Sequence, residues 1–221
     1  MPRPPRIEVP NGVYHVTANA THGNQIFRDD ADRSRWLRLL ATVVDRFFWE
    51  CFAYCLLSTH YHLVFRIEEP TLARGMQYLN ARYAESFNRR HGRQGHAFRA
   101  RYYSILVETE RHAMEVCRYV ALNPVRAGLC VSAEAWPWSS FAATVGLAQA
   151  PAWLRTEWVL GLFADDPEVA RRRFHAFVQQ GRTLESPQGG LTLPTAPRRR
   201  PLVRRGLVRT AGRAGVPADD A

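Results

Sequence analysis

The sequence predicts an α+β fold, in which a central β-sheet has helices packed on it. Segments rich in β-branched and aromatic residues alternate with segments whose apolar residues recur at helical spacing, beginning in the order strand, helix, strand, strand. The chain has 221 residues, of which 46% are hydrophobic and 11% aromatic. That length and composition are typical of one domain with a buried core.

The first predicted strand and helix occupy the N-terminal part of the chain. Residues 12–18 alternate between apolar and polar and are rich in β-formers, which favours a strand. Asp29 or Asp30 then caps a helix whose apolar residues lie between positions 36 and 47 at helical spacing.

Two further strands and a second helix follow. Residues 49–57 are mostly apolar, which predicts a strand in the centre of the sheet. A tight turn at residues 58–59 leads directly into the next strand. Residues 71–91 carry an apolar stripe at helical spacing and predict a second helix that ends at Gly92.

A fourth strand and a third helix are predicted next. Residues 102–108 favour a strand, and Thr109 can cap a helix that runs to about Leu122. Pro124 indicates that this helix ends or kinks there, or that Asn123 caps a separate short turn.

The C-terminal third of the chain has weaker signals. The aromatic run at 136–141 predicts a turn that packs this region onto the sheet, and residues 153–163 predict a short helix. A final helix is predicted next, with Asp166 as its N-cap and Pro167 as its first residue, and it ends at Gly181.

The charge of the chain points to nucleic acid as a partner. The formal charge is +10, the pI is about 10.2, and all 30 basic residues are arginine. Arginine makes bidentate contacts to phosphate and stacks on bases, although a genome rich in G and C also favours this residue. No apolar run approaches the roughly 18 residues of a membrane helix. Since no signal peptide is visible either, we expect a cytoplasmic, nucleoid-associated protein.

The four cysteines lack the spacing of a zinc site. They contain no CxxC pair, and we predict that they are reduced core residues. The four are Cys51, Cys55, Cys117 and Cys130.

Two histidines stand two residues apart in an apolar, β-branched segment. In a strand, His60 and His62 project to one face, and Tyr61 projects to the other. Two imidazoles on one rigid face can hold a metal ion and leave positions open for a substrate. The alternative is a pair of half-buried histidines on a sheet.

Arginines interleave with aromatic residues between positions 88 and 103. Arginines for phosphates beside aromatics for stacking are typical of proteins that bind single-stranded nucleic acid. The alternative is an ordinary charged surface. The candidate DNA-binding residues are Arg89, Arg90, Arg93, Arg99 and Arg101.

The third predicted helix carries a tyrosine and an asparagine on one face. Tyr119 and Asn123 are four residues apart, and His112 and Glu115 lie on roughly the same side. On spacing alone, a tyrosine on an amphipathic helix is more often a packing residue than a nucleophile.

The chain resembles the REP-associated tyrosine transposases, relatives of the HUH single-strand transposases of small insertion sequences. The resemblance rests on an ordered set of short motifs between about residues 10 and 145. These are GVYHVT at 12–17, IFRDD at 26–30, AYCL at 53–56, HYHL at 60–63, RGMQYLN at 74–80, FNRRHG at 87–92, GH at 95–96, RY at 118–119, LNPVRAG at 122–128 and PWSS at 137–140.

This resemblance implies a fold, a site and a reaction. The fold is a central antiparallel sheet flanked by helices, with a helical C-terminal extension. The metal, magnesium or manganese, is held by His60, His62 and Asn123. The nucleophile is Tyr119, five residues before Pro124, and the substrate is single-stranded DNA beside a hairpin. Attack on the phosphodiester gives a 5′-phosphotyrosine and a free 3′-hydroxyl. Imidazole ligands suit manganese or zinc better than magnesium.

Three segments follow from this interpretation. Residues 1–145 form the HUH transposase-like catalytic domain, residues 146–185 the helical extension, and residues 186–221 a basic tail that composition predicts to be disordered. The wider family includes monomers and dimers, so the oligomeric state stays open.

The chain departs from the family at two places that bear on function. Thr59 replaces the asparagine that commonly precedes the first histidine, and the segment at 19–24 lacks the usual Arg-Gly-Asn-like run. Two alternatives to a transposase therefore remain. One is a domesticated, non-catalytic nucleic-acid-binding protein, and the other is a metal-dependent nuclease that uses water.

Overall fold

A four-stranded antiparallel sheet forms the centre of the computed structural model, which describes residues 8–182. Its strands lie in the order β2-β3-β1-β4. They are β1 (Val13–Asn19), β2 (Trp49–Leu56), β3 (His60–Ile67) and β4 (Tyr103–Val107). The predicted α+β fold with a central antiparallel sheet is confirmed.

Helices cover both faces of this sheet. The first two helices pack on one face, where they contact alternate side chains of each strand, such as Val16 and Leu63. The third helix and the C-terminal helices pack on the other face. The helices are α1 (Asp30–Phe47), α2 (Leu72–Arg90), α3 (Glu110–Arg126), α4 (Phe141–Thr144), α5 (Thr156–Leu160) and α6 (Pro167–Gln180).

Three of the helices begin at side-chain caps that the sequence predicts. Asp29, Thr109 and Asp166 each accept a hydrogen bond from the backbone N–H three residues on. Such a bond satisfies one of the free donors in the first turn of a helix. The starts of α1, α3 and α6 were therefore readable from the sequence.

The prediction that the second strand is central is wrong, because β2 lies at an edge of the sheet. Its outer edge is instead covered by the C-terminal region. Leu56 N donates to Trp138 O at 2.9 Å, and Arg155 N donates to Cys51 O at 2.8 Å. With both faces and this edge covered, the strand is as apolar as a central one.

The predicted end of the third helix near Leu122 is also wrong. Helix α3 continues through Pro124 to Arg126. Ala127 N donates to Asn123 O at 2.9 Å, so the turn after the proline closes although the proline itself has no N–H. As a result, Asn123 lies inside the helix and does not cap a separate turn.

The aromatic turn packs as predicted. Trp136 Nε1 donates to Leu56 O at 3.1 Å and ties this turn to the end of β2. The predicted helix at 153–163 is shorter, and only α5 forms there. Residues of α3, α5 and α6 share one buried cluster.

Residues 186–221, which were predicted to form a disordered tail, lie outside the described part of the chain. None of the described helices has the length and apolarity needed to cross a membrane.

Candidate functional site

The strand register brings three histidines onto one face of the sheet. His60 and His62 lie on β3, and their register partners on β1 are Asn19 and Thr17. His15, two residues before Thr17, points to the same face. Tyr61 points to the other face, as predicted.

Helix α3 lies over this face and supplies the tyrosine and the asparagine. The Tyr119 ring meets the His62 ring edge-on, with ring centroids 5.3 Å apart. Asn123 is buried, and its Nδ2 donates to the carbonyl oxygen of Tyr119 at 2.9 Å, which leaves its Oδ1 available to other groups. The structure thus brings Tyr119, His60, His62 and Asn123 together.

Burial favours the neutral form of the two motif histidines. It lowers the pKa of His60, and it lowers the pKa of His62 well below its ordinary value, with the neighbouring histidines adding to the shift. The Asn123 side chain is close enough to both imidazoles to oppose this lowering in part. Neutral imidazole is the form that can bind a metal ion.

The free nitrogen of His62 fits a metal ligand. Its Nδ1 is 3.0 Å from His15 Nε2, whereas its buried Nε2 has no hydrogen-bond partner among the residues that the structure describes. The Nδ1 of His60 is 3.0 Å from the hydroxyl of Thr59, so this threonine contacts the imidazole that it precedes. Within residues 8–182, no group of three His, Cys, Asp or Glu side chains could hold a metal. The fit therefore depends on Asn123 as the third donor.

His15 is the site residue that the sequence reasoning missed. It is buried, its ring stacks on His62 with centroids 5.3 Å apart, and burial lowers its pKa to about 4, with His112 adding to the shift. A signal was present, because a histidine on the buried face of an alternating strand requires a partner.

Helix α3 carries further charged and titratable side chains besides Tyr119 and Asn123. The Arg126 guanidinium carbon lies 5.5 Å from the centre of the Tyr119 ring and offers a cation for a phosphate. Glu115 forms an ion pair with Arg118. His112 has two buried ring nitrogens without a hydrogen-bond partner in the described part of the chain.

The site lies within the segment that a known family shares. The family model described as transposase, IS200-like, matches residues 8–123, which contain both histidines, Tyr119 and Asn123. The chain belongs to the IS200-like transposase family. The resemblance inferred from the short motifs is thereby confirmed.

One solved transposase structure shares the fold. The structure of a REP-associated tyrosine transposase bound to a REP hairpin matches with a TM-score of 0.57 and 16% identity, over 70% of this chain and 92% of the other. A putative transposase from Deinococcus radiodurans R1 has a TM-score of 0.37 and 14% identity, over 52% and 91% of the two chains. No curated protein matches the sequence.

The five arginines predicted to contact DNA differ in their surroundings. Arg90 pairs with Asp29 and Asp32, and Arg89 pairs with Glu85. The other three form no ion pair within the described residues. Arg93 is partly buried and lies over the ring of Phe87. Arg99 and Arg101 are exposed.

We expect Arg90 and Arg101 of this transposase to differ when each is replaced by glutamine. The logarithm of the affinity for single-stranded DNA falls linearly with the logarithm of the salt concentration. Arg101→Gln is expected to reduce the magnitude of that slope by about 0.7, which corresponds to the loss of one phosphate contact. Arg90→Gln removes one of the partners of the buried Asp32, which His91 also contacts, so a lower melting temperature and an unchanged salt slope are expected. An altered salt slope for Arg90→Gln with an unchanged melting temperature would contradict this assignment.

Proposed function

We propose that the protein is a metal-dependent transposase that cleaves and rejoins single-stranded DNA next to hairpins through a covalent 5′-phosphotyrosine. The observation that carries the proposal is the contact of Tyr119 with His62, in a site that also holds His60 and Asn123. A half-buried tyrosine beside two neutral histidines has the parts of a nucleophile next to a metal centre.

His60, His62 and Asn123 would hold the ion, and manganese or magnesium is proposed. When bound, the ion supplies positive charge that offsets the charge developing on the phosphate oxygens in the transition state. The histidines contribute neutral nitrogen ligands, and the amide contributes its oxygen. Arg126 adds a fixed positive charge beside the phenol.

Tyr119 would act as the nucleophile. Its phenol oxygen forms a bond to phosphorus as the bond from phosphorus to the 3′-oxygen breaks. The phenol loses its proton, and the departing 3′-oxygen gains one. The tyrosyl phosphodiester keeps the energy of the bond it replaces, so attack by another 3′-hydroxyl rejoins DNA without ATP.

The proposed substrate is single-stranded DNA that carries a hairpin. The family membership, the charge of +10 and the exposed arginines near the site support DNA as substrate. The solved relative that shares this fold is bound to a REP hairpin. Arg99 and Arg101 are the proposed phosphate contacts, because neither forms an ion pair with a carboxylate within residues 8–182.

The test is to incubate the protein and manganese with hairpin-bearing single-stranded DNA from the flanks of its own gene, followed by a denaturing gel. A shifted, protease-sensitive band that a chelator abolishes is expected. Cleavage without such a band would indicate a nuclease that uses water. Binding with neither cleavage nor a band, across several flanking hairpins, would indicate a DNA-binding protein without this chemistry.

A further inference from the structure

The site face of the sheet has an uncovered part beside the histidines. Helix α3 packs over β2, β3 and the histidine of β1, whereas the side chains where β1 ends and β4 begins remain accessible. We call this part the shelf. It consists of Thr17, Asn19, Arg99 and Tyr103, of which Thr17 is half-buried and the other three are exposed.

The shelf is in register with the two motif histidines. His62, Thr17 and Tyr103 are neighbours across β3, β1 and β4, so their side chains point to the same face. Two strand spacings separate the first from the last, which amounts to about 10 Å. That is about the length of three stacked nucleotides at 3.4 Å each.

The arginine of the shelf lies beside the other histidine. Arg99 N donates to Asn19 O at 2.9 Å, and Asn19 is the register partner of His60. The adjacent bridge joins Ala20 to Phe98, and both of these side chains contact the core on the opposite face. Arg99 therefore belongs to the same face as the histidines.

The exposed groups of the shelf fit a nucleotide. The Tyr103 side chain is 60% exposed at the outer strand of the sheet, and no further strand pairs with β4 in the described part of the chain. An accessible phenol ring can stack on a base, and an unpaired guanidinium can bind the adjoining phosphate. If an uncharged protein surface bound to the shelf instead, it could contact the ring of Tyr103, but the charge of Arg99 would have no partner.

We propose that the shelf binds the single strand next to the scissile phosphate, with a base stacked on Tyr103 and a phosphate on Arg99. This inference rests on the proposed function, since it takes the scissile phosphate to lie at His60 and His62. It assigns to Tyr103 a binding role and no part in the bond changes.

The test uses 2-aminopurine, whose fluorescence falls when it stacks, in place of single bases near the cleavage position. Binding is measured with manganese in a Tyr119→Phe background, so that no cleavage occurs. Quenching at one or two adjacent positions is expected. Tyr103→Trp is expected to keep that quenching, whereas Tyr103→Ala is expected to lose it and to bind about 5- to 150-fold more weakly.

A matched control removes an exposed aromatic elsewhere. Phe48 is 73% exposed between α1 and β2, at the other end of the sheet, and Phe48→Asn suits its positive φ. This variant is expected to bind and quench as the parent does. If Tyr103→Ala keeps both affinity and quenching, or if no position is quenched in the parent, the shelf assignment is wrong.

The proposed function is read separately, from the covalent band of the protein with intact Tyr119. A covalent band together with normal binding by Tyr103→Ala overturns the shelf and leaves the transposase proposal in place. Quenching that depends on Tyr103 without any covalent band supports the shelf as a DNA site and overturns the proposed chemistry.

Discussion

Tyr119→Phe is expected to abolish the covalent protein–DNA band and to reduce cleavage by at least about 10⁴-fold, the scale on which loss of a nucleophile acts in enzymes. Phenylalanine keeps the ring that contacts His62 but lacks the oxygen that would attack phosphorus. The hydroxyl makes no hydrogen bond within residues 8–182, so the free energy of unfolding is expected to change by less than about 0.5 kcal/mol. The denaturing gel and urea unfolding measure the two effects.

The matched control is Tyr78→Phe, which removes a hydroxyl on α2. This variant is expected to form the covalent band at the parental level, because Tyr78 contacts Phe47 and packs on the face of the sheet opposite to the histidines. If cleavage persists in Tyr119→Phe and releases free ends, then water is the nucleophile and the proposed mechanism is wrong.

The second large effect is expected on metal binding. His62→Ala removes a buried nitrogen that has no hydrogen-bond partner within residues 8–182, and manganese binding is expected to fall below detection in titrations followed by electron paramagnetic resonance. His15→Leu removes the group that holds His62 Nδ1, and about 10- to 100-fold weaker manganese binding is expected. His15→Gln, whose side-chain oxygen can accept from that nitrogen, is expected to recover part of the loss.

An exposed histidine provides the control for these titrations. His22→Gln lies outside the site and is expected to bind manganese as the parent does. The metal assignment would be overturned by parental affinity in His62→Ala. Equal affinities of His15→Leu and the parent would show that His15 only fills space.

Local features of the fold could be read from the sequence, whereas features that depend on distant segments could not. The caps at Asp29, Thr109 and Asp166 are set by neighbouring residues, and all three form. The edge position of β2 was missed because segments about 80 to 100 residues further along the chain cover it, at Trp138 and Arg155. The sequence of the strand itself contains no pattern that indicates these later segments cover its edge.

The candidate site shows the same division. The spacing of His60 and His62 was enough to predict a shared face, and the resemblance to a family was needed to add Tyr119 and Asn123. His15 was missed because its partner lies 47 residues away in the sequence. The pairing of Arg90 with Asp29 and Asp32 likewise joins two helices that are far apart in the chain.

The most direct test of the central claim is to map the covalent bond. DNA labelled at its 3′ end or at its 5′ end is incubated with protein and manganese, and the adduct is digested with nuclease and protease for mass spectrometry. We predict that only the 3′ label enters the adduct and that the modified peptide carries a nucleotide phosphate on Tyr119. A 5′ label in the adduct, or a nucleotide on a different residue, would contradict the account.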